Sequence, residues 1–124
     1  MTNKDIVLSF IDAWDRVAWD EVANWLSEDV AYHNVPWEPV KGRDQVMKNL
    51  AGFEVAESWW KVHHIIAEGD LVMTERTDYA LRNGRWCRLY VMGIFRIRDG
   101  LITEWRDYFN PLELEDEVNA PVRD

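Results

Sequence analysis

Residues 58–110 fall into four runs, SWWKVHHIIAEGD, LVMTERTDYALRNG, RWCRLYVMGIFRIRDG and LITEWRDYFN. Each run is rich in β-branched and aromatic residues. The first three stop at Gly69-Asp70, Arg82-Asn83-Gly84 and Asp99-Gly100. Asn-Gly and Asp-Gly between two such runs are the strongest short hairpin signals, because the favoured two-residue turn needs positive φ at both central positions. Strands are therefore predicted over 58–68, 71–81, 85–98 and 101–110, the last ended by Pro111. Hairpins join neighbours, so the four form an antiparallel meander.

The texture upstream is helical. Thr2-Asn3-Lys4-Asp5 is close to a capping box, and Ile6, Phe10, Ala13, Trp14 and Val17 then recur at helical spacing, widened by Val7 and Ile11. Asp20 can cap a short second helix with Val22, Trp25 and Leu26 on one face, stopped by the Ser27-Glu28-Asp29 cluster. Residues 30–35 read as a strand ended by Pro36, and Pro39 makes the next stretch loop-like. A third helix starts at Gly42-Arg43-Asp44, with Val46, Met47 and Leu50 along one side. Helices first and a long antiparallel sheet after them is an α+β order. Long strands wrapped over about three helices enclose a cone, whose inner face is a ready-made pocket.

A chain of 124 residues suits one domain, 1–124, with an acidic, solvated tail at about 113–124. Fourteen Lys+Arg against 23 Asp+Glu give a net charge of −9, which repels phosphate backbones and argues against a nucleic-acid partner. No apolar run approaches the ~20 residues of a membrane span. The start, MTNKDIVLSF, has no signal-peptide pattern, and Cys87 is the single cysteine, so a cytoplasmic location is expected. Eight tryptophans are many for this length. Most are expected in the core or an oligomer interface, with a few lining an apolar cavity.

Alternation assigns strand residues to faces. Val72, Thr74, Arg76, Asp78 and Ala80 share one face, Thr103, Trp105, Asp107 and Phe109 another, and Tyr32 pairs with Asn34. Each face is mainly apolar yet carries a charge or amide. A buried charge is costly unless paired, so Arg76, Asp78 and Asp107 either form a satisfied network or lie on the wet side of the sheet. The plain reading is a cross-strand salt bridge. The functional one is a carboxylate pair bridged by one guanidinium, in which one acid keeps a proton while the other serves as base.

The set Tyr32-His33-Asn34, Glu75-Arg76-Thr77-Asp78 and Glu104-Trp105-Arg106-Asp107-Tyr108-Phe109 resembles the limonene-1,2-epoxide hydrolase family. The resemblance runs from the first helix to Phe109. It implies a cone of the nuclear-transport-factor-2-like (SnoaL-like) type, usually a homodimer, with the site deep inside. It further implies that Asp107 is the general base holding a water with Tyr32 and Asn34. Asp78 would be the general acid on the epoxide oxygen, Arg76 the bridge between the two, and Trp105 a pocket residue. The expected reactants are a small apolar epoxide and water, with no cofactor, no metal and no covalent intermediate. The alternatives are a proton-transfer enzyme like ketosteroid isomerases and polyketide cyclases, or a non-catalytic small-molecule-binding module.

Other residues read plainly. His63 and His64 are adjacent and expected on opposite faces of a strand, unable to chelate together, and His33 should face away from the site. Cys87 reads as a small core residue, and Glu75 and Glu104 as solvent or interface groups. The 36–39 loop, Trp59, Trp60 and Trp86 could set the width of the pocket.

Overall fold

The computed structural model describes residues 1–123. Three helices, α1 (Asn3–Asp15), α2 (Trp19–Asn24) and α3 (Arg43–Ala51), accompany strands β1 (Leu26–Asn34), β2 (Val40–Lys41), β3 (Val55–Glu68), β4 (Leu71–Arg82), β5 (Arg85–Arg98), β6 (Leu101–Tyr108) and β7 (Glu115–Val118). The sheet order is β2-β1-β6-β5-β4-β3, with β7 added on β5. β3 to β6 form the expected antiparallel meander, and β1 joins β6 in parallel, so the sheet is mixed. Asn83-Gly84 and Asp99-Gly100 have positive φ at both residues, the backbone their hairpin turns require.

Thr2 caps α1 in a full capping box, and the apolar stripe of α1 is buried in the concave face of the sheet. Phe10 is the hub of this core. Its ring meets Trp105 edge-on at 5.2 Å and also contacts Trp14, Trp60 and Phe95. Aromatic pairs in tilted or edge-on contact contribute ~0.5–1.5 kcal/mol each beyond simple burial.

Several local expectations are corrected. The Ser27-Glu28-Asp29 cluster does not end a helix; it lies inside β1. Buried Leu26 and Val30 anchor that strand on either side, and a register shift between Leu26 and Ala31 absorbs the polar residues. Ala18, not Asp20, occupies the α2 N-cap, and Asp20 and Glu21 fall in the first turn, where helix-end polarity favours acids. The stretch after Pro39, expected as loop, contains the two-residue β2, and β3 starts three residues early. The acidic tail is partly ordered as β7, because Glu115 accepts two hydrogen bonds from Arg88, at 3.0 and 2.6 Å. A bulge between Val62 and His64 breaks alternation. His63 consequently bonds Thr77 Oγ1 and His64 bonds Glu75 Oε1, so both histidines lie on the outer face. A second irregularity near Thr103 puts Ile102, fully buried, where Thr103 was expected.

Candidate active site

Parallel pairing of β1 with β6 sets Tyr32 beside Trp105 and Asn34 beside Asp107. Antiparallel pairing sets Asp107 opposite Gly93 on β5, and Gly93 opposite Thr74 on β4. Arg76 and Asp78 continue the inner face of β4 beyond Thr74. Asp107 is thus two strands away from Arg76, a gap of ~9.5 Å between strand axes. A long guanidinium side chain spans it, and the structure shows that it does.

Arg76 donates through Nε to Asp78 Oδ1 and through Nη2 to Asp78 Oδ2, both at 2.9 Å. Its Nη1 donates to Asp107 Oδ1 at 3.2 Å and to Thr74 Oγ1 at 3.1 Å, while Nη2 lies 3.1 Å from Asp107 Oδ2. One guanidinium therefore grips two carboxylates, each through both oxygens. The Arg76 side chain is fully buried, against 16% and 7% exposure for Asp78 and Asp107. The solvated-face alternative for these charges is thereby excluded. The Trp60 ring covers the guanidinium at 4.1 Å, a cation–π contact in a dry setting.

Burial pushes the Asp78 carboxyl up, and the nearby Asp107 adds to this against the opposing charge of Arg76. Two carboxylates on one guanidinium leave one excess negative charge in a buried place, which favours retention of a proton by the pair. Burial also pushes the Tyr32 hydroxyl up, with Asp107 adding, so Tyr32 stays a neutral hydrogen-bonding group.

These groups form the floor of a cavity of about 240 Å³, with Tyr32, Asn34, Asp78 and Asp107 among its lining. Its walls are apolar, including Phe53, Val55, Leu89, Val91, Phe109 and Leu114. Trp37 stands at the rim against Phe109, with ring centroids 5.4 Å apart. Trp14 and Trp60 also line the cavity, whereas Trp59 stacks on Tyr79 instead, at 5.5 Å.

Trp105 is corrected from a wall residue to a buried support. It is completely buried, and its ring lies against Tyr32, tilted by 32° with centroids 4.1 Å apart. The alternation rule gave its face correctly, but α1 covers the sheet at that level and the cavity begins one step further on. Cys87 is likewise corrected, being half-buried and on the cavity wall. His33 bonds the Trp37 carbonyl, and Glu104 pairs with Arg96, both away from the site.

Three contributors escaped sequence reasoning. Gly93 is the first: a Cβ there would overlap Arg76 Nη1 and stand 2.7 Å from Asp107 Oδ1 and 3.0 Å from Thr74 Oγ1. A lone glycine within a strand pattern was the available signal, since it marks close approach of another group. Thr74 is the second, orienting Nη1. Asp15 at the end of α1 is the third. It accepts from the Trp60 amide at 3.0 Å and the Ser58 hydroxyl at 3.1 Å, fixing β3 where Trp60 covers Arg76. Burial pushes its carboxyl up to about 6, against the opposing effects of those two hydrogen bonds and of Arg123.

The family model of the limonene-1,2-epoxide hydrolase catalytic domain matches residues 1–119. The chain is 34% identical over 114 residues to epoxide hydrolase EphG of Mycobacterium tuberculosis (strain ATCC 25618 / H37Rv), covering 87% of this chain and 73% of that protein. A solved structure of an LEH-like epoxide hydrolase from M. tuberculosis superposes with a TM-score of 0.80 at 32% identity, over 88% of this chain and 83% of that one. An NTF2-like protein of unknown function from Cytophaga hutchinsonii ATCC 33406 shares the fold at a TM-score of 0.74 and 22% identity, over 90% and 93% of the two chains. The cone is thus nuclear-transport-factor-2-like, and with the two carboxylates on one guanidinium at its floor, the chain belongs to the limonene-1,2-epoxide hydrolase family.

Proposed function

We propose that this protein hydrolyses an apolar, cyclic or terpenoid-like epoxide to a vicinal diol in one step. The observation that carries the reading is the buried Arg76 holding Asp78 and Asp107 together beneath an apolar cavity. Opening an epoxide needs a nucleophile on carbon and a proton on oxygen in the same transition state. Asp107, as general base, takes a proton from a water that Tyr32 and Asn34 help to hold, while that water attacks the ring carbon. The carbon–oxygen bond breaks, and Asp78 as general acid gives its proton to the departing oxygen. The pair still holds one proton afterwards, now on Asp107, and its return to Asp78 resets the site. Arg76 keeps its charge throughout and orients both acids. A base that only shuttles a proton on carbon, as in an isomerase, has no use for a water held beside it, whereas Tyr32 and Asn34 line the cavity next to Asp107, where they can hold one.

The test is a single turnover in water labelled with heavy oxygen, using limonene oxide, cyclohexene oxide, styrene oxide and a larger fused-ring epoxide. All of the new hydroxyl should carry the label from the first turnover. An unlabelled first diol would mean that a carboxylate oxygen had been transferred through an ester, and the one-step reading would fall. Absence of diol from all four, and from epoxides bearing a charged tail, would remove the reading altogether.

The same reading includes a homodimer. Met73, Tyr90, Met92 and Tyr108 are exposed and lie on the outer face of β4, β5 and β6. A second copy would take this apolar band out of water. Light scattering should give about twice the chain mass, with Tyr90→Glu shifting it to the monomer; a wild-type monomer at micromolar concentration would refute the dimer.

A further inference from the structure

Arg82 lines the cavity but has no part in the chemistry at its floor. It is the last residue of β4, on the same face as Asp78 and Ala80, and it sits half-buried in the wall. Its Nε donates to the Phe53 carbonyl at 2.6 Å, which fixes the plane of the guanidinium. Among the described residues, no carboxylate lies within ion-pair distance of it, and Nη1 and Nη2 have no hydrogen-bond partner. The other arginine of the lining, Arg88, is neutralised by Glu115. In a chain where acids outnumber bases, 23 to 14, an arginine left without an acid at the wall of an apolar cavity is out of keeping with its surroundings.

We infer that the epoxide taken by this site carries a carboxylate at the end remote from the ring, and that Arg82 receives it. This rests on the one-step epoxide opening proposed above and replaces a wholly apolar substrate by one with an apolar body and a charged end. The guanidinium edge formed by Nη1 and Nη2 is a planar fork that fits a carboxylate through two parallel hydrogen bonds. Between the two charged ends the lining is apolar, with Ala80, Leu89 and Val55 suited to an alkyl body. Asp78 and Arg82 are four residues apart on one strand, or ~13 Å between their Cα atoms. Allowing for the reach of both side chains, ring and carboxylate should be separated by on the order of 10 Å. An ω-epoxy alkanoic acid of medium length has that shape.

The experiment compares a chain-length series of ω-epoxy alkanoic acids with their methyl esters, in wild type, Arg82→Met and Arg82→Lys. Wild type should favour the acid over its ester by about 10-fold or more in kcat/KM at the best length, as a charged hydrogen bond predicts. The ratio should fall to about one in Arg82→Met and recover in part in Arg82→Lys. Because the readout is a ratio within each variant, a general loss of folding does not imitate it. A wild type that treats acid and ester alike, or prefers the ester, overturns the inference. Calorimetry with saturated alkanoic acids separates this from failure of the epoxide reading. Binding lost in Arg82→Met supports the carboxylate site even if no epoxide is opened, and equal binding or none refutes it.

Discussion

Asp107→Asn and Asp78→Asn should each lower kcat/KM for epoxide opening by about 10²–10⁴-fold, the usual contribution of a positioned base or acid. Asn keeps the size and one acceptor oxygen of Asp but neither takes nor supplies the proton. Both variants should fold. Arg76 retains one carboxylate in each, so the buried cluster still pairs one cation with one anion, and the large penalty of an uncompensated charge does not arise. Thermal melts should therefore move far less than the rates. The two losses should also be strongly non-additive, since acid and base act in one transition state, and the double variant should be little worse than either single one. The pH profile carries the assignment of roles. Asp78 must hold its proton to act, and burial raises its affinity for that proton above the ordinary carboxyl range. The requirement on Asp78 is therefore met below the raised value and lost as pH rises through it, which gives the profile an alkaline limb. That alkaline limb should disappear from the residual rate of Asp78→Asn. Either single variant retaining more than a tenth of wild-type activity would show that the pair is structural.

How much of this was legible beforehand follows from the range of the forces involved. Hairpins at Asn83-Gly84 and Asp99-Gly100 are local backbone chemistry, and β5 runs over the predicted 85–98. Faces follow from a period of two, which grouped Arg76 with Asp78 and Asp107 with Trp105 but left open whether those faces were buried or wet. The failures come from non-local effects. β7 exists because Glu115 meets Arg88 from 27 residues away, a pairing that the local charge run conceals. His63 and His64 share a face because of a bulge, an irregularity that alternation cannot express. Trp105 was placed on the correct face but not in the correct layer, since only the packing of Phe10 on α1 decides where the core ends and the cavity begins. The candidate set itself was suggested by resemblance more than by spacing. Its charges could as well have made a surface bridge until the burial of Arg76 was known.

Gly93→Ala should prove nearly as damaging to turnover as loss of a catalytic acid, although it adds a single methyl group and alters no charge. The glycine backbone is an ordinary strand, so the requirement is for space, not for conformation. The added Cβ would occupy the crossing point of Arg76, Asp107 and Thr74. Backbone pairing on both sides of β5 prevents the strand from moving away, so the side chains must yield. Displacing the guanidinium by about 1 Å misaligns both acids at once, and misplacement on that scale costs ~10²-fold. The effect should appear in kcat with KM little changed, because the apolar walls that bind the substrate body are untouched. Crowding a packed interior also destabilises by ~1–3 kcal/mol, which a denaturant titration would register. A purely structural glycine would show only the second effect, with wild-type kcat in the folded fraction. That outcome would mean that Arg76 can reach Asp107 by another route, and that the open space over β5 is not what aligns the two carboxylates.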